Sequence, residues 1–378
     1  GFTTVKKTSA ATATISSIAF TTAPVPTITG TARVGEQLTA TPGAWVPAAT
    51  TTTYQWFRDD APIAGATQAT YTAVAADLGT ALTVSVTSTR LGYDTTTRTS
   101  EATADVVIGV FSPAPTPVIT GTTRVGLVLT SVPGTWGPVT PTFTYQWKRD
   151  DVDIASATGA TYELTALDLG TVLTVAVTGT APGFTTATRT SVGTSAIALG
   201  QFAPAPTPTI VGTTVVGATV TAQAGTWGPG TPTLSYQWTL DGDPIDGATT
   251  STYTIRGTDR TGSLAVAVTA TRTAFTTLTN TSVGSVVGSG IFANTVAPTV
   301  TGFHVVGAEL TATAGTWTPS ASTVTYQWLR GGVAISGATS STYTLVAADK
   351  RKKISVRVTV TRDYYLTASQ TTTGRRVG

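Results

Sequence analysis

Groups able to do covalent or acid–base chemistry are scarce in this chain. It has one His, His304, and no Cys, so neither a thiolate nucleophile nor a Cys-His metal site can be assembled. Ser and Thr are abundant, but a hydroxyl without an adjacent base is not a nucleophile. His304 falls where Thr123 and Thr214 stand in earlier copies of the same pattern, and it is expected to be a surface residue in a strand. Asp77, Asp168, Asp259 and Asp349 are copies of one position, whereas a glycosidase-type pair needs two acids in one site. A turn, in which the carboxylate accepts backbone N–H bonds, accounts for them. Asp59-Asp60, Asp150-Asp151-x-Asp153 and Asp241-x-Asp243 could offer oxygens to calcium, which needs roughly six to eight. The fourth copy has Gly331-Gly332 there and no other acids complete the shell, so hairpin turns are expected. No catalytic residue, metal site or cofactor is predicted.

The elements that would position such groups repeat along the chain. Tyr54-Gln55-Trp56, Tyr145-Gln146-Trp147, Tyr236-Gln237-Trp238 and Tyr326-Gln327-Trp328 recur with periods of 91, 91 and 90. Trp45, Trp136, Trp227 and Trp317 precede them and complete the eight Trp. Residues 1–20 align on 183–202, so they read as the end of an earlier repeat. Four repeats follow, at 21–111, 112–202, 203–292 and 293–378. The chain is therefore expected to be the C-terminal part of a longer array, with any export signal upstream or removed.

Within a repeat, Ala81 to Thr87 alternates apolar and polar residues, as a strand with one buried face must. Its copies begin at Val172, Ser263 and Lys353. β-Branched runs near Thr27–Thr29, 37–41, 69–73 and 97–107 bring the count to about seven short strands. Only 11% of residues are charged and 40% are apolar, and no helical period appears, so the prediction is all-β antiparallel sandwiches with both rows of Trp in their cores.

The stretches Val34-Gly35-Glu36-Gln37-Leu38-Thr39-Ala40, Pro42-Gly43-Ala44-Trp45, Tyr54-Gln55-Trp56, Ile63-Ala64-Gly65-Ala66-Thr67, Tyr71-Thr72 and Asp77-Leu78-Gly79 resemble the immunoglobulin-like tandem repeats of actinobacterial secreted and cell-surface proteins. The resemblance covers the whole chain. It implies an extracellular array of four immunoglobulin-like β-sandwiches preceded by the last strand region of another, with Trp56 as the buried Trp of the third strand. Two features depart from it: the paired Cys are missing, and no Tyr follows the Asp-x-Gly.

Charge is uneven. From Asn294 onward nine Lys and Arg face three acids, so this segment carries +6 and the remainder −3 of the net +3. Lys350-Arg351-Lys352-Lys353 replaces Leu78-Gly79-Thr80-Ala81 of the first repeat, and Arg375-Arg376 follows. A polar end on a terminal repeat explains the run; contact with an anionic polymer or membrane surface is the functional alternative. Aromatic residues are not interleaved with the basic ones, so nucleic acid is not expected. No run of 18 apolar residues crosses a bilayer.

Pro-rich seams such as Phe111-Ser112-Pro113-Ala114-Pro115 should hold neighbours at limited angles, with Phe20, Phe111, Phe202 and Phe292 packing into the next repeat. Four domains of about 35–40 Å would reach on the order of 150 Å as a semi-rigid rod. The function expected is a non-catalytic stalk of a secreted or cell-surface adhesin or appendage, making weak multivalent contacts. The alternatives are polysaccharide-binding accessory domains, or a filament or phage-appendage subunit joined to its copies by strand addition. Partners would be neighbouring repeats, cell-wall polymer, polysaccharide or copies of itself.

Overall fold

A computed structural model describes residues 1–378. The chain divides into two compact units, residues 1–198 and 199–378. The first full repeat shows the plan that the others follow. Its strands are β1 (Thr27–Thr29), β2 (Gln37–Thr41), β3 (Thr51–Arg58), β4 (Ala61–Pro62), β5 (Thr70–Thr72), β6 (Leu82–Thr89) and β7 (Thr96–Thr99). They form two antiparallel sheets, ordered β1-β2-β5 and β4-β3-β6-β7. The same pair of sheets recurs in each later repeat, with a short fifth strand, Ser285–Val286 or Arg375–Arg376, added in the last two.

Period-two patterning sets which face is buried. In β6, Leu82, Val84 and Val86 are fully buried while Thr83, Ser85 and Thr87 face outward. Register puts Trp56 of β3 opposite Val84 and Tyr54 opposite Val86. Trp56, Trp147, Trp238 and Trp328 are completely buried, and Trp45, Trp136, Trp227 and Trp317 are buried as well. The hairpin after β3 places Asp59 at φ 41° and Asp60 at φ 64°, the consecutive left-handed conformations of a tight two-residue turn. Gly331-Gly332 occupies the same two positions without steric cost.

Past β7 the chain pulls away from β6, and hydroxyl side chains take over the ladder. Val84 N–H donates to Ser100 Oγ at 3.1 Å and Leu82 N–H to Thr103 Oγ1 at 3.0 Å. Further on, Val106 and Val107 pair in parallel with Leu78 and Arg33 and close the sandwich.

Residues 1–17 are exposed and hold no strand. Ile18 makes a parallel bridge to Tyr93, and Phe20 is buried on Trp45 and Tyr93 with ring centres 5.0 and 5.4 Å away. His304 lies outside the strands, in the turn after Thr299–Thr301, rather than within one. It is half-buried because its carbonyl accepts the Gly378 N–H, which brings the last residue against this turn.

Candidate interaction surface

The recurring acids are engaged in holding the fold. Asp77 is fully buried and accepts Val74 N–H at 2.7 Å, Tyr71 O–H at 2.8 Å and Arg58 Nε–H at 2.6 Å. Asp168 and Asp349 repeat this with Tyr162 and Arg149, and with Tyr343 and Arg330. A buried carboxylate given several charge-assisted donors is stable as the anion. Burial opposes ionisation of Asp349, but the Val346 N–H, Arg330 and Tyr343 outweigh it and hold the carboxyl below its ordinary value. Burial, then the Asp77 bond, pushes the Tyr71 hydroxyl up to about 12. In the third repeat Leu240 replaces the Arg, and Asp259 keeps Tyr253 O–H at 2.6 Å and Arg256 N–H at 2.7 Å. The Tyr of this cluster precedes the Asp instead of following the Asp-x-Gly.

Asp59, Asp150 and Asp241 each accept a backbone N–H, from Ala81, Val172 and Ser263 respectively. They fasten the hairpin to the start of the long strand. Gln55, the middle residue of the Tyr-Gln-Trp triplet, donates to Trp56 O and Ile63 O at 2.9 and 2.8 Å, which ties β3 to the segment after β4. In the sequence Gln55 stands out only as the middle residue of a recurring triplet. Its recurrence at Gln146, Gln237 and Gln327 was the available signal.

Three aromatic residues meet at a seam between repeats. In the first unit Phe111, carried at the end of one repeat, stacks on Phe184 at 5.1 Å and meets Trp136 edge-on at 5.3 Å. Gly109 N–H donates to Gly183 O, and Thr185 N–H donates to Gly109 O, at 2.8 and 2.9 Å. The buried cluster runs without a break from Leu38, Trp56 and Val34 to Phe111, Trp136 and Phe184. In the second unit Phe292 meets Tyr365 at 5.4 Å and Trp317 at 6.3 Å, while Leu366 N–H donates to Gly290 O. Tyr365 is thus a seam residue that sequence analysis does not single out. Also within the second unit, Phe202 stacks on Phe275 at 5.2 Å and meets Trp227 edge-on at 5.9 Å.

Glycine makes the seam possible. Gly35 has φ +88°, and a Cβ there would stand 2.7 Å from both Phe184 Cζ and Pro138 Cγ. Gly307, its copy in the fourth repeat, has φ +92° and nothing within 4 Å. Val34 is 2% exposed beside the occupied position, and Val306 is 43% exposed beside the open one.

The six cations singled out in the sequence, Lys350, Arg351, Lys352, Lys353, Arg375 and Arg376, are all exposed. Strand pairing brings them together: Lys353 lies opposite Arg376, Ile354 opposite Arg375, and Lys350 bridges to Val377. Arg357 is also exposed, four residues along the strand on the same outward side as Lys353. Arg351 has φ 62°, where Gly79 and Gly170 stand in the first two repeats and Thr261 in the third. A side chain in that region costs about 1–3 kcal/mol.

No protein-family model and no curated protein sequence matches this chain. Several solved structures are similar to it. An ice-binding adhesin of an Antarctic bacterium is 16% identical, with 93% of this chain and 98% of that one covered and a TM-score of 0.24. The D1–D4 ectodomain fragment of ICAM-5 is 13% identical over 91% and 96%, with a TM-score of 0.26. Three N-terminal domains of the bacteriophage RB49 outer capsid protein Hoc are 18% identical over 71% and 99%, with a TM-score of 0.22. No helix is long and apolar enough to cross a membrane.

Proposed function

We infer that the chain is a non-catalytic spacer of a secreted or cell-surface protein, holding other parts of its assembly at a distance by stacking sandwiches through stiff seams. The continuous buried cluster through Phe111, Trp136 and Phe184 carries this reading, because a joint that shares a core with its neighbour resists bending. Two further features support it. The recurring acids and the strand-edge hydroxyls of Ser100, Ser191 and Ser282 are already engaged in backbone hydrogen bonds. All eight Trp are buried and so are unavailable as sugar-stacking platforms.

The absence of Cys allows a clean test. Spin labels placed through Thr67→Cys and Thr158→Cys, at exposed loop positions of the first two repeats, should give one narrow distance distribution. A broad distribution would mean a free joint and would overturn the spacer reading.

A further inference from the structure

We propose that the outer strip of the fourth repeat formed by Lys350–Lys353, Arg357 and Arg376 is a docking surface for a linear polyphosphodiester that carries no bases. Three observations lead to it. First, two sequence-distant basic segments are brought together by register, with Lys353 and Arg376 directly opposed. Second, none of these side chains makes an ion pair within the protein. The nearest acid in sequence, Asp349, is buried and engaged by Arg330. Third, the arrangement works against folding, since like charges directly opposite on neighbouring strands are destabilising, and Arg351 holds a backbone conformation that suits Gly. A repeat that needed only a water-compatible surface here would be served by neutral polar residues, such as Thr80, Ser195 and Ser285 at the equivalent places in the other repeats. The opposed pair Lys353 and Arg376, with the strained Arg351 close by in the chain, fits an external counter-charge instead.

The shape of the strip selects the partner. Lys353 and Arg357 share one face of a strand, about 13 Å apart, and Arg376 stands beside Lys353. This is an open row rather than a cavity, so it suits an extended chain with a charge on every unit. Arg guanidinium groups and Lys ammonium groups both take phosphate oxygens. A membrane would engage the same charges differently. Phe303, 83% exposed where the other repeats have Thr, adjoins His304, whose carbonyl holds Gly378, and it would be the inserting residue.

The test uses the full chain and purified poly(glycerol phosphate), followed by fluorescence anisotropy. Affinity should fall at least about tenfold between about 50 mM and about 200 mM salt, because each contact releases counterions. Arg351→Gly should bind several-fold more weakly yet unfold at a higher temperature. A stability-only role for Arg351 does not give that pair of results. The combined Lys350→Leu, Arg351→Gly, Lys352→Thr and Lys353→Val variant should abolish binding, and Phe303→Thr should leave it unchanged. The proposal fails if wild type does not bind the polymer, or if the combined variant binds equally well. It also fails if binding is tighter to a polycarboxylate, to single-stranded DNA, or to phosphatidylglycerol-containing phosphatidylcholine vesicles through Phe303.

Discussion

Phe184 stacks on Phe111 with ring planes 20° apart, although the two residues sit in successive copies of the repeat. Phe111 is 8% exposed and Phe184 9%, so the joint they form is as dry as a domain interior. A core aromatic at a joint ties the stability of one sandwich to the presence of its neighbour.

Phe111→Ala should therefore destabilise the first unit by about 3–5 kcal/mol and broaden the Thr67–Thr158 label distances. Calorimetry and the distance measurement check the two parts separately. An unchanged distribution would show that the backbone bonds of Gly109 alone hold the joint.

Gly35→Val and Gly307→Val make a matched pair, because both positions have nearly the same left-handed backbone. The second should cost only the backbone strain, about 1–3 kcal/mol. The first should cost more, since its side chain collides with Phe184 and Pro138 and the seam must open. Equal losses in chemical denaturation would contradict the close packing at Gly35.

Trp147→Ala should cost its own repeat about 3–5 kcal/mol, because it empties a fully buried site between the sheets. It also removes the indole N–H bond to Gly159 O. Calorimetry should show one component shifted downward and the second unit unmoved.

Titration of the buried cluster sets two limits on stability. Tyr71 has a folded-state value near 12 against about 10 when unfolded, so its contribution is complete below about pH 10 and is lost as pH rises through about 12. Asp349 is held below its ordinary value, so its contribution is complete above about pH 4 and is lost on acidification. Tyr71→Phe should flatten the alkaline loss in the first unit. If unfolding between pH 10 and pH 12 is the same in both proteins, Tyr71 is not the titrating group.

Local pattern made much of this molecule readable. Alternation in Ala81–Thr87 and the recurrence of Tyr54-Gln55-Trp56 announce the strands and their buried face, because a pleated strand exposes every second residue. Asp77 was readable as a turn residue, whereas its bond to Arg58 was not. That partner lies 19 residues earlier, at the end of β3, and Leu240 breaks the pattern in the third repeat. Phe111 could be placed at a seam from its spacing, but the socket at Gly35 could not, since a Gly in a turn has an adequate local reason to recur. The run Lys350–Lys353 is visible in any reading of the chain. Its pairing with Arg375 and Arg376 depends on strand register, which only the folded chain supplies.

The parallel closure of the first three sandwiches governs how they carry load. In the first repeat Val34 N–H donates to Val107 O and Val107 N–H to Ala32 O, both at 3.0 Å, with the two segments running in the same direction near opposite ends of the repeat. Tension applied through the chain pulls these segments past each other, so their bonds are sheared together rather than unzipped one by one. A repeat closed in this way should yield at high force in single-molecule stretching, and Val34→Pro, which deletes one donor, should lower that force.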